Sequence, residues 1–183
     1  MELTDLQDLM VEELRDLYSA ENQLLKALPK VAKACENQEL KAAFEQHTQE
    51  TETHVERLEQ IFQQLGEKPT GKKCKGMEGL IEENKEMMSE DAEPEVMDAG
   101  LIVGSQKIEH YEIAGYGSAV TFAKLLGNDQ AARLLAQTLD EEERTDKKLS
   151  EIAESAINVE AASGDGEEAS TRSSGRSRSK RSR

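Results

Sequence analysis

Residues 4–28, TDLQDLMVEELRDLYSAENQLLKAL, carry apolar side chains at intervals of three and four positions. This spacing keeps the apolar side chains on one face of an α-helix, so the segment predicts a long amphipathic helix that packs into a core. Glu21 interrupts the apolar face, because it lies at helical spacing from the leucines at positions 14, 17, 24 and 28. A carboxylate that faces the core of a helix bundle is costly unless it is paired or binds a metal ion. The segment therefore predicts both a helical fold and a polar site inside it.

Three further segments of the chain repeat the helical spacing, and each is bounded by residues that favour helix ends. Asn37 is suited to cap a second long helix, and Gly66 is suited to end it. Pro94 fits the first turn of a third long helix. Gly127 ends that helix, and Asn128 caps a fourth. The sequence therefore predicts four long helices.

The connection between the second and third long helices is about thirty residues long and contains a short helix predicted over residues 77–89. A connection of this length can cross a helix bundle from end to end. We therefore expect an all-α protein, a ferritin-like antiparallel four-helix bundle with a long crossover connection that carries a short extra helix. The hydrophobic periodicity stops near residue 159, which predicts a bundle over residues 1–158 and a disordered tail over residues 159–183.

The composition agrees with a helical protein that does not enter a membrane. The 183 residues include no Trp, three Phe and three Tyr, whereas the strong helix formers Ala, Leu, Glu, Lys and Gln dominate. No apolar stretch is long enough to span a bilayer, and the acidic N-terminus lacks the features of a signal peptide. Two cysteines, Cys35 and Cys74, are too few for a disulfide scaffold. We therefore expect a cytoplasmic protein without membrane contact.

The charge is divided between an acidic body and a basic end. The net charge is −15, and residues 171–183, TRSSGRSRSKRSR, contribute six positive charges and no negative charge. The rest of the chain therefore carries −21. A basic tail can bind the phosphates of nucleic acid, but it can also contact the acidic body or act as a solubilising extension. Nucleic acid is therefore one candidate partner of the tail.

A shift of 91 residues aligns the two halves of the chain without a gap. The shift brings Glu21 onto Glu112 and Glu50 onto Glu141. Glu112, like Glu21, lies within an apolar helix face. Two similar helical hairpins would pack about a pseudo-two-fold axis, and equivalent carboxylates would then serve one shared site. The repeat therefore indicates a site to which all four long helices contribute.

The second helix adds imidazoles to the predicted site. His47 and Glu50 are three positions apart, and Glu50 and His54 are four positions apart. Either spacing places a carboxylate and an imidazole on one helix face, where they can share a metal ion. His47 could instead be a core histidine that bonds a backbone carbonyl.

The fourth helix offers an acidic run in which not every side chain can face inward. Glu142 and Asp146 lie four positions apart on the apolar stripe, whereas the repeat favours Glu141 as the inward residue. At least one member of Glu141–Glu143 is expected in solvent. Di-iron bundles take a Glu from each of two helices and a Glu-x-x-His pair from each of the other two. No Glu-x-x-His occurs in this chain, so the predicted ligand set is richer in carboxylate.

Other residues beside the predicted site are expected to play lesser parts. Glu109 lies next to the inward stripe of the third helix and is expected behind the ligands or at the surface. His110 projects from nearly the opposite side of that helix to Glu112 and is expected at the surface. Tyr18 and Tyr111 border the site and are expected to pack against their neighbours.

Five segments of the chain together resemble the YciF/YciE family of bacterial ferritin-like stress proteins. The segments are LYSAENQLLKALPKVAKA (17–34), HTQET (47–51), CKGMEGLIEE (74–83), QKIEHYEIAGYG (106–117) and LLGNDQAARLLAQTLDEEERTDKKL (125–149). The resemblance covers roughly residues 4–157. It implies a ferritin-like bundle, usually dimeric, with a proposed dinuclear metal centre and a link to stress responses.

The resemblance also implies which residues would hold the metal ions. Carried onto this sequence, the family pattern points to Glu21, His47, Glu50, Glu112, Glu141, Glu142 and Asp146. His54 looks like a local feature outside that pattern, and the basic tail looks like an addition to it. Carboxylates combined with imidazole suit two ions of iron or manganese, and we expect iron more than manganese.

Three functions fit these observations. The first is a stress-related di-metal oxidoreductase, a ferroxidase or a peroxidase, that consumes O2 or H2O2. The second is a metal-free structural or interaction protein in which the inward carboxylates bind groups of a partner. The third is a DNA-associated protectant that acts through the basic tail. The resemblance implies that the chain forms a homodimer.

Overall fold

The computed structural model describes residues 3–163, which form six α-helices and no β-strand. The helices are α1 (Leu6–Ala34), α2 (Gln38–Leu65), α3 (Lys75–Met87), α4 (Pro94–Leu125), α5 (Asp129–Ile152) and α6 (Asn158–Ser163). A single π-helical stretch, Ala153–Ile157, joins α5 to α6. The four long helices α1, α2, α4 and α5 pack together as a bundle, which confirms the predicted all-α class.

The helical structure extends five residues past the predicted end of the bundle at residue 158, to Ser163. The rest of the predicted tail, residues 164–183 with its basic end, lies outside the described residues. None of the described helices is long and apolar enough to cross a membrane.

The helix ends follow the local signals in the sequence. The Asn37 side chain accepts hydrogen bonds from the backbone amides of Glu39 and Leu40, both at 3.0 Å, and so caps the start of α2. Gly66 ends α2 with a φ of 69°, a left-handed conformation that glycine adopts without steric cost. Pro94 occupies the first turn of α4, where its missing amide proton is not needed.

The connection from α2 to α4 crosses the whole length of the bundle. Near the start of α4, the carboxylate of Asp98 accepts hydrogen bonds from the backbone amides of Glu36 and Asn37, at 3.2 and 2.8 Å. The starts of α2 and α4 therefore lie at the same end of the bundle. Because α2 ends at the opposite end, residues 66–93 must run back along the bundle, and they carry α3 as they do so. This is the ferritin-like arrangement that the sequence predicts.

Apolar side chains form two separate clusters, one toward each end of the bundle. A buried polar residue lies between the clusters on each long helix. On α1, for example, Glu21 lies between Leu17 of one cluster and Leu24 of the other. The bundle therefore holds a polar layer at mid-height, and the apolar layers above and below keep water away from it.

Candidate metal centre

The polar layer consists of six side chains that converge from all four long helices. None of the six is more than 1% exposed. They are Glu21 from α1, His47 and His54 from α2, Glu109 and Glu112 from α4, and Glu142 from α5. Four carboxyl groups and two imidazoles therefore share a space from which bulk water is excluded.

Two groups of these side chains can each hold a metal ion. The first group is His47, Glu109, Glu112 and Glu142, and the second is Glu21, His54 and Glu142. Within each group, one ligand atom from every residue lies within 4.8 Å of the others. Glu142 belongs to both groups.

The two carboxylate oxygens of Glu142 face different imidazoles. Its Oε1 lies 3.0 Å from Nδ1 of His54, and its Oε2 lies 3.8 Å from Nε2 of His47. In the first group, Nε2 of His47 is also 3.4 Å from Oε1 of Glu109. In the second group, Nδ1 of His54 is 3.4 Å from Oε1 of Glu21. Glu142 is therefore placed between the two candidate cation sites, with one oxygen toward each.

Many polar atoms of the layer have no hydrogen-bond partner among the described residues. Both oxygens of Glu112, Oε2 of Glu21 and Oε2 of Glu109 are buried in this condition. Buried polar groups without partners are rare in proteins, and each costs roughly 1–3 kcal/mol. Metal ions would satisfy these atoms together, and a mixed set of carboxylate and imidazole donors suits iron or manganese. The residues therefore fit a dinuclear centre.

The two imidazoles are basic in the metal-free protein. Burial alone would lower the pKa of His47, but the carboxylates of Glu109, Glu50 and Glu142 raise it to about 9. Burial likewise opposes the charged form of His54, yet its contacts with Glu142 and Glu21 raise its pKa to about 11. Both histidines are therefore protonated at neutral pH until a metal ion displaces the proton.

The pKa values of the buried carboxyl groups are shifted in opposite directions. Burial, together with the neighbouring carboxylates, raises the pKa of Glu112 well above its ordinary value. Burial also raises the pKa of Glu109 well above its ordinary value. Burial acts in the same direction on Glu142, but the charged histidines outweigh it and leave its pKa lowered. The metal-free layer therefore holds several exchangeable protons, which a bound cation would replace.

His54 is oriented from behind by a carboxylate and an arginine. Its Nε2 lies 2.9 Å from Oε2 of Glu141, which leaves Nδ1 directed at the other carboxylates. Arg57 holds Glu141 through both guanidinium nitrogens, with the Nη2 to Oε1 distance at 2.9 Å. A carboxylate behind a metal-binding histidine fixes the ring and its tautomer and increases its basicity.

Three of the predicted site residues lie outside the buried layer. Glu141 supports His54 instead of facing the centre, so Glu142 is the inward member of the acidic run. Glu50 is half-buried, accepts a hydrogen bond from Gln46 and stays 3.7 Å from Nδ1 of His47. Glu50 and Glu141, which the repeat pairs, both stand beside a histidine at the edge of the layer.

Asp146 is the third predicted residue outside the layer. Its carboxylate accepts a hydrogen bond from Gln106 at 3.2 Å and lies 3.5 Å from exposed His110. A position four residues beyond Glu142 is rotated by about 40° around the helix. The inward direction of α5 lies on the other side of Glu142, where Thr138 is buried. This rotation turns Asp146 toward solvent.

His54 and Glu109 belong to the buried layer, although His54 is expected outside the ligand pattern and Glu109 behind the ligands or at the surface, and Tyr116 lies beside the layer without a signal in the sequence that marks it. His54 follows His47 by seven positions and Glu109 precedes Glu112 by three, so helical spacing alone would have placed both inward. The fully buried Tyr116 donates a hydrogen bond from its hydroxyl to Glu21 and thereby orients that carboxylate.

The tyrosines that were expected to border the site bond elsewhere. The hydroxyl of Tyr18 donates to Glu59 at 2.9 Å, and that of Tyr111 donates to Asp16. Neither contacts the buried layer through these bonds.

The 91-residue repeat explains why no Glu-x-x-His occurs. The shift brings Thr51 onto Glu142 and His54 onto Thr145. Thr51-x-x-His54 on α2 therefore keeps only the histidine of the pair, and Glu142-x-x-Thr145 on α5 keeps only the glutamate. His47 and Glu109 enter the layer in addition, which restores six potential ligands.

Comparisons with known proteins agree with this fold. A family model described as a domain of unknown function, DUF892, matches residues 5–162. The protein YciF of Escherichia coli is 44% identical over 162 residues, which are 88% of this chain and 98% of that protein. The crystal structure of this E. coli stress protein superposes with a TM-score of 0.82 over 85% of this chain and 98% of that chain.

Two further solved structures are similar. YcfI of Rhodopseudomonas palustris, whose description suggests a structural role, is 40% identical, with a TM-score of 0.79 over 81% of this chain and 95% of that chain. A two-domain protein of Anabaena variabilis contains a DJ-1/ThiJ/PfpI-like domain and a ferritin-like domain. It is 18% identical, with a TM-score of 0.57 over 85% of this chain and 38% of that chain, and so supports the ferritin-like fold alone.

Proposed function

The chain belongs to the DUF892 family, as its similarity to E. coli YciF also shows, and we propose that its buried polar layer binds two metal ions. We further propose that the metal-loaded protein oxidises ferrous iron with O2 or H2O2. Iron is favoured over manganese as the resident metal. A role in stress responses is proposed from the description of the E. coli relative as a stress protein.

The observation that carries the proposal is the position of Glu142. One of its oxygens faces His54 and the other faces His47, and each histidine has a further carboxylate at 3.4 Å. A carboxylate that directs one oxygen toward each of two donor groups can hold two cations close together.

The charge of the layer also supports two cations. Its four carboxylates carry four negative charges when all are ionised, and two divalent cations supply four positive charges. With neutral imidazoles as ligands, the loaded layer is electrically neutral. Neutrality matters because an uncompensated charge in a water-free interior is costly.

The residues of the chain prepare the layer for redox chemistry. Bound iron would supply electrons to O2 or H2O2. Tyr116 holds Glu21 in one orientation, and Arg57 holds Glu141, which in turn holds His54. Both potential ligands, Glu21 and His54, are therefore fixed. The raised pKa of the Glu109 carboxyl lets it carry a proton within the layer, because burial disfavours its charged form.

Metal content is the first test. Protein purified after growth with iron and manganese is expected to carry about two metal ions per chain. A double variant, Glu21→Ala with Glu112→Ala, is expected to lose them, because each substitution removes a ligand from one group. Glu143→Ala is the matched control, since Glu143 is exposed beside Glu142. Wild-type protein without metal would contradict the proposal.

Activity is the second test. The iron-loaded protein is expected to consume Fe2+ and H2O2 faster than the metal-free protein and faster than the double variant. Equal consumption by the loaded and metal-free proteins would reject the oxidoreductase proposal, even if metal binds.

A metal-free structural function is the second candidate. It is favoured by the ion pairs of the layer, in which charged His54 contacts Glu142 at 3.0 Å and compensates its charge. The suggested role of the R. palustris relative points the same way. Elemental analysis separates the candidates, because only the first requires bound metal.

We also propose that the chain forms a homodimer. Val103 and Leu125 expose apolar side chains on α4, at 56% and 72%. Sedimentation equilibrium tests this proposal, and a monomer at all accessible concentrations would contradict it.

A further inference from the structure

A cavity lies between α1, α3 and α4, beside the candidate metal centre. Its volume is about 60 Å³. One water molecule needs roughly 10–15 Å³ by this kind of measure, whereas a cavity of about 150 Å³ binds benzene. The cavity therefore suits a molecule of a few heavy atoms. Most of its wall is aliphatic, formed by Leu24, Leu28, Val31, Ile81, Met88 and Ile108.

Two exposed lysines, Lys30 and Lys85, also line the cavity, and three buried polar side chains interrupt its aliphatic wall. Asn84, Ser105 and Glu109 line the cavity and are 3%, 2% and 1% exposed. Within residues 3–163, neither amide atom of Asn84 has a hydrogen-bond partner, and neither do the Ser105 hydroxyl and Oε2 of Glu109. Such groups are costly unless something in the cavity bonds them. The cavity therefore offers a largely apolar wall and three buried side chains with unsatisfied polar atoms.

The backbone of α4 makes room for the Asn84 amide. A Cβ atom built on Gly104 would lie 1.8 Å from Oδ1 of Asn84, far inside contact distance. Only glycine at this position allows the amide to lie so close to α4. The close approach keeps the amide in the wall that Ser105 and Glu109 also line.

We infer that this cavity binds a short-chain alkyl hydroperoxide. The alkyl group packs against the aliphatic wall, and the O–O–H group bonds Asn84 and Ser105. The amide and the hydroxyl each offer a donor and an acceptor, which match a head group that donates once and accepts at both oxygens.

The choice of a hydroperoxide rests on the proposed function. Glu109 lines the cavity and also belongs to the first group of potential ligands. A head group bonded beside Glu109 therefore lies next to the metal centre. The apolar wall then selects an organic peroxide over H2O2, which has the same head group but no alkyl body.

Binding is tested on the metal-free protein, so that no turnover is required. Methyl NMR spectra are recorded while ethyl hydroperoxide or H2O2 is added, and mass spectrometry checks that the protein is not oxidised. Ethyl hydroperoxide is expected to shift the methyl signals of Leu28, Ile81 and Ile108, and to bind more tightly than H2O2. Asn84→Leu and Ser105→Ala are each expected to weaken its binding about tenfold, the effect of one lost hydrogen bond.

Ser118→Ala is the matched control, because Ser118 lies on the same helix as Ser105 but is exposed and bonds the carbonyl of Ala114. It is expected to bind like the wild type. If Asn84→Leu does not fold, Ser105→Ala keeps the test intact, since it removes a single oxygen atom. Absent shifts, unchanged affinity in the folded cavity variants, or H2O2 binding as tightly as ethyl hydroperoxide would overturn the inference.

Different results would reject the proposed metal centre and the proposed hydroperoxide site. Protein that carries no metal but binds ethyl hydroperoxide in the metal-free form would reject the metal centre and keep the cavity as a binding site. Protein that carries two metal ions but shows no ligand-dependent shifts would reject the cavity and keep the centre.

Discussion

Replacing Glu112 by leucine is predicted to stabilise the metal-free protein. Glu112 is fully buried, and neither of its oxygens has a hydrogen-bond partner in the described part of the chain. Burial and the neighbouring carboxylates raise its pKa well above the ordinary value, so the charged form of the carboxyl is disfavoured in the absence of metal. A buried neutral polar group without a partner costs about 1–3 kcal/mol. Leucine has a similar volume and no polar atom, so it removes this cost.

The predicted stabilisation is large enough to measure by calorimetry. In a domain of this size, 1 kcal/mol corresponds to about 2–4 °C in Tm. Metal-free Glu112→Leu protein, measured with a chelator, is therefore expected to melt about 2–12 °C above the wild type. In excess Mn2+ the difference in Tm between the two proteins is expected to narrow or to change sign, because only the wild type keeps the full ligand set and gains the full free energy of metal binding.

Glu143→Leu is the control for this prediction, because Glu143 is exposed. Its effect on stability is expected to stay within about 0.5 kcal/mol. Metal-free Glu112→Leu protein that melts below the wild type would refute the reasoning, since it would show that the carboxyl is stabilising without a cation. An equal rise in Tm with Mn2+ in both proteins would remove Glu112 from the ligand set.

Three further predictions concern the surroundings of the layer and the tail. Arg57→Gln is expected to raise the Kd for metal about 10–100-fold, because Arg57 holds the carboxylate behind His54. Titration of the metal-free protein with metal measures the Kd, and Arg144→Gln, at an exposed arginine, is the control. Metal binding at neutral pH is expected to release protons, because His47 and His54, with pKa values of about 9 and about 11, must lose a proton to become ligands. Calorimetric titrations in buffers of different ionisation enthalpy measure the release, and heats that do not depend on the buffer would contradict it. Deleting residues 171–183 is expected to weaken DNA binding in gel shifts at low salt and to change it little at high salt, where the phosphate contacts are screened. Unchanged binding at low salt would exclude the tail as a nucleic-acid contact.

The fold could be predicted because its signals are local. Caps and terminators such as Asn37, Gly66 and Pro94 act on their own helix ends, so no knowledge of neighbouring helices is needed. The length of the connection then left few ways to pack four helices. Glu21 and Glu112 were also predictable as buried residues, because each is flanked by apolar side chains on one face of its own helix.

The membership of the polar layer was harder to predict, because it depends on how each helix is rotated relative to the other three. A rotation of about 40° separates buried Glu142 from half-buried Asp146. The repeat indicated Glu141, but its equivalence to Glu50 reflects a shared place at the edge of the layer. His54 and Glu109 lie inward because the packing of α2 and α4 turns the helix faces that carry them toward the centre. Helical periodicity indicates these faces but does not fix the rotation of each helix.

The most direct test of the bridging role proposed for Glu142 is anomalous diffraction from crystals grown with iron or manganese. Two metal peaks are predicted, both in contact with Glu142, one on the side of His47 and the other on the side of His54. A single peak, peaks only at exposed acidic side chains, or a polar layer that stays without metal would contradict the dinuclear centre.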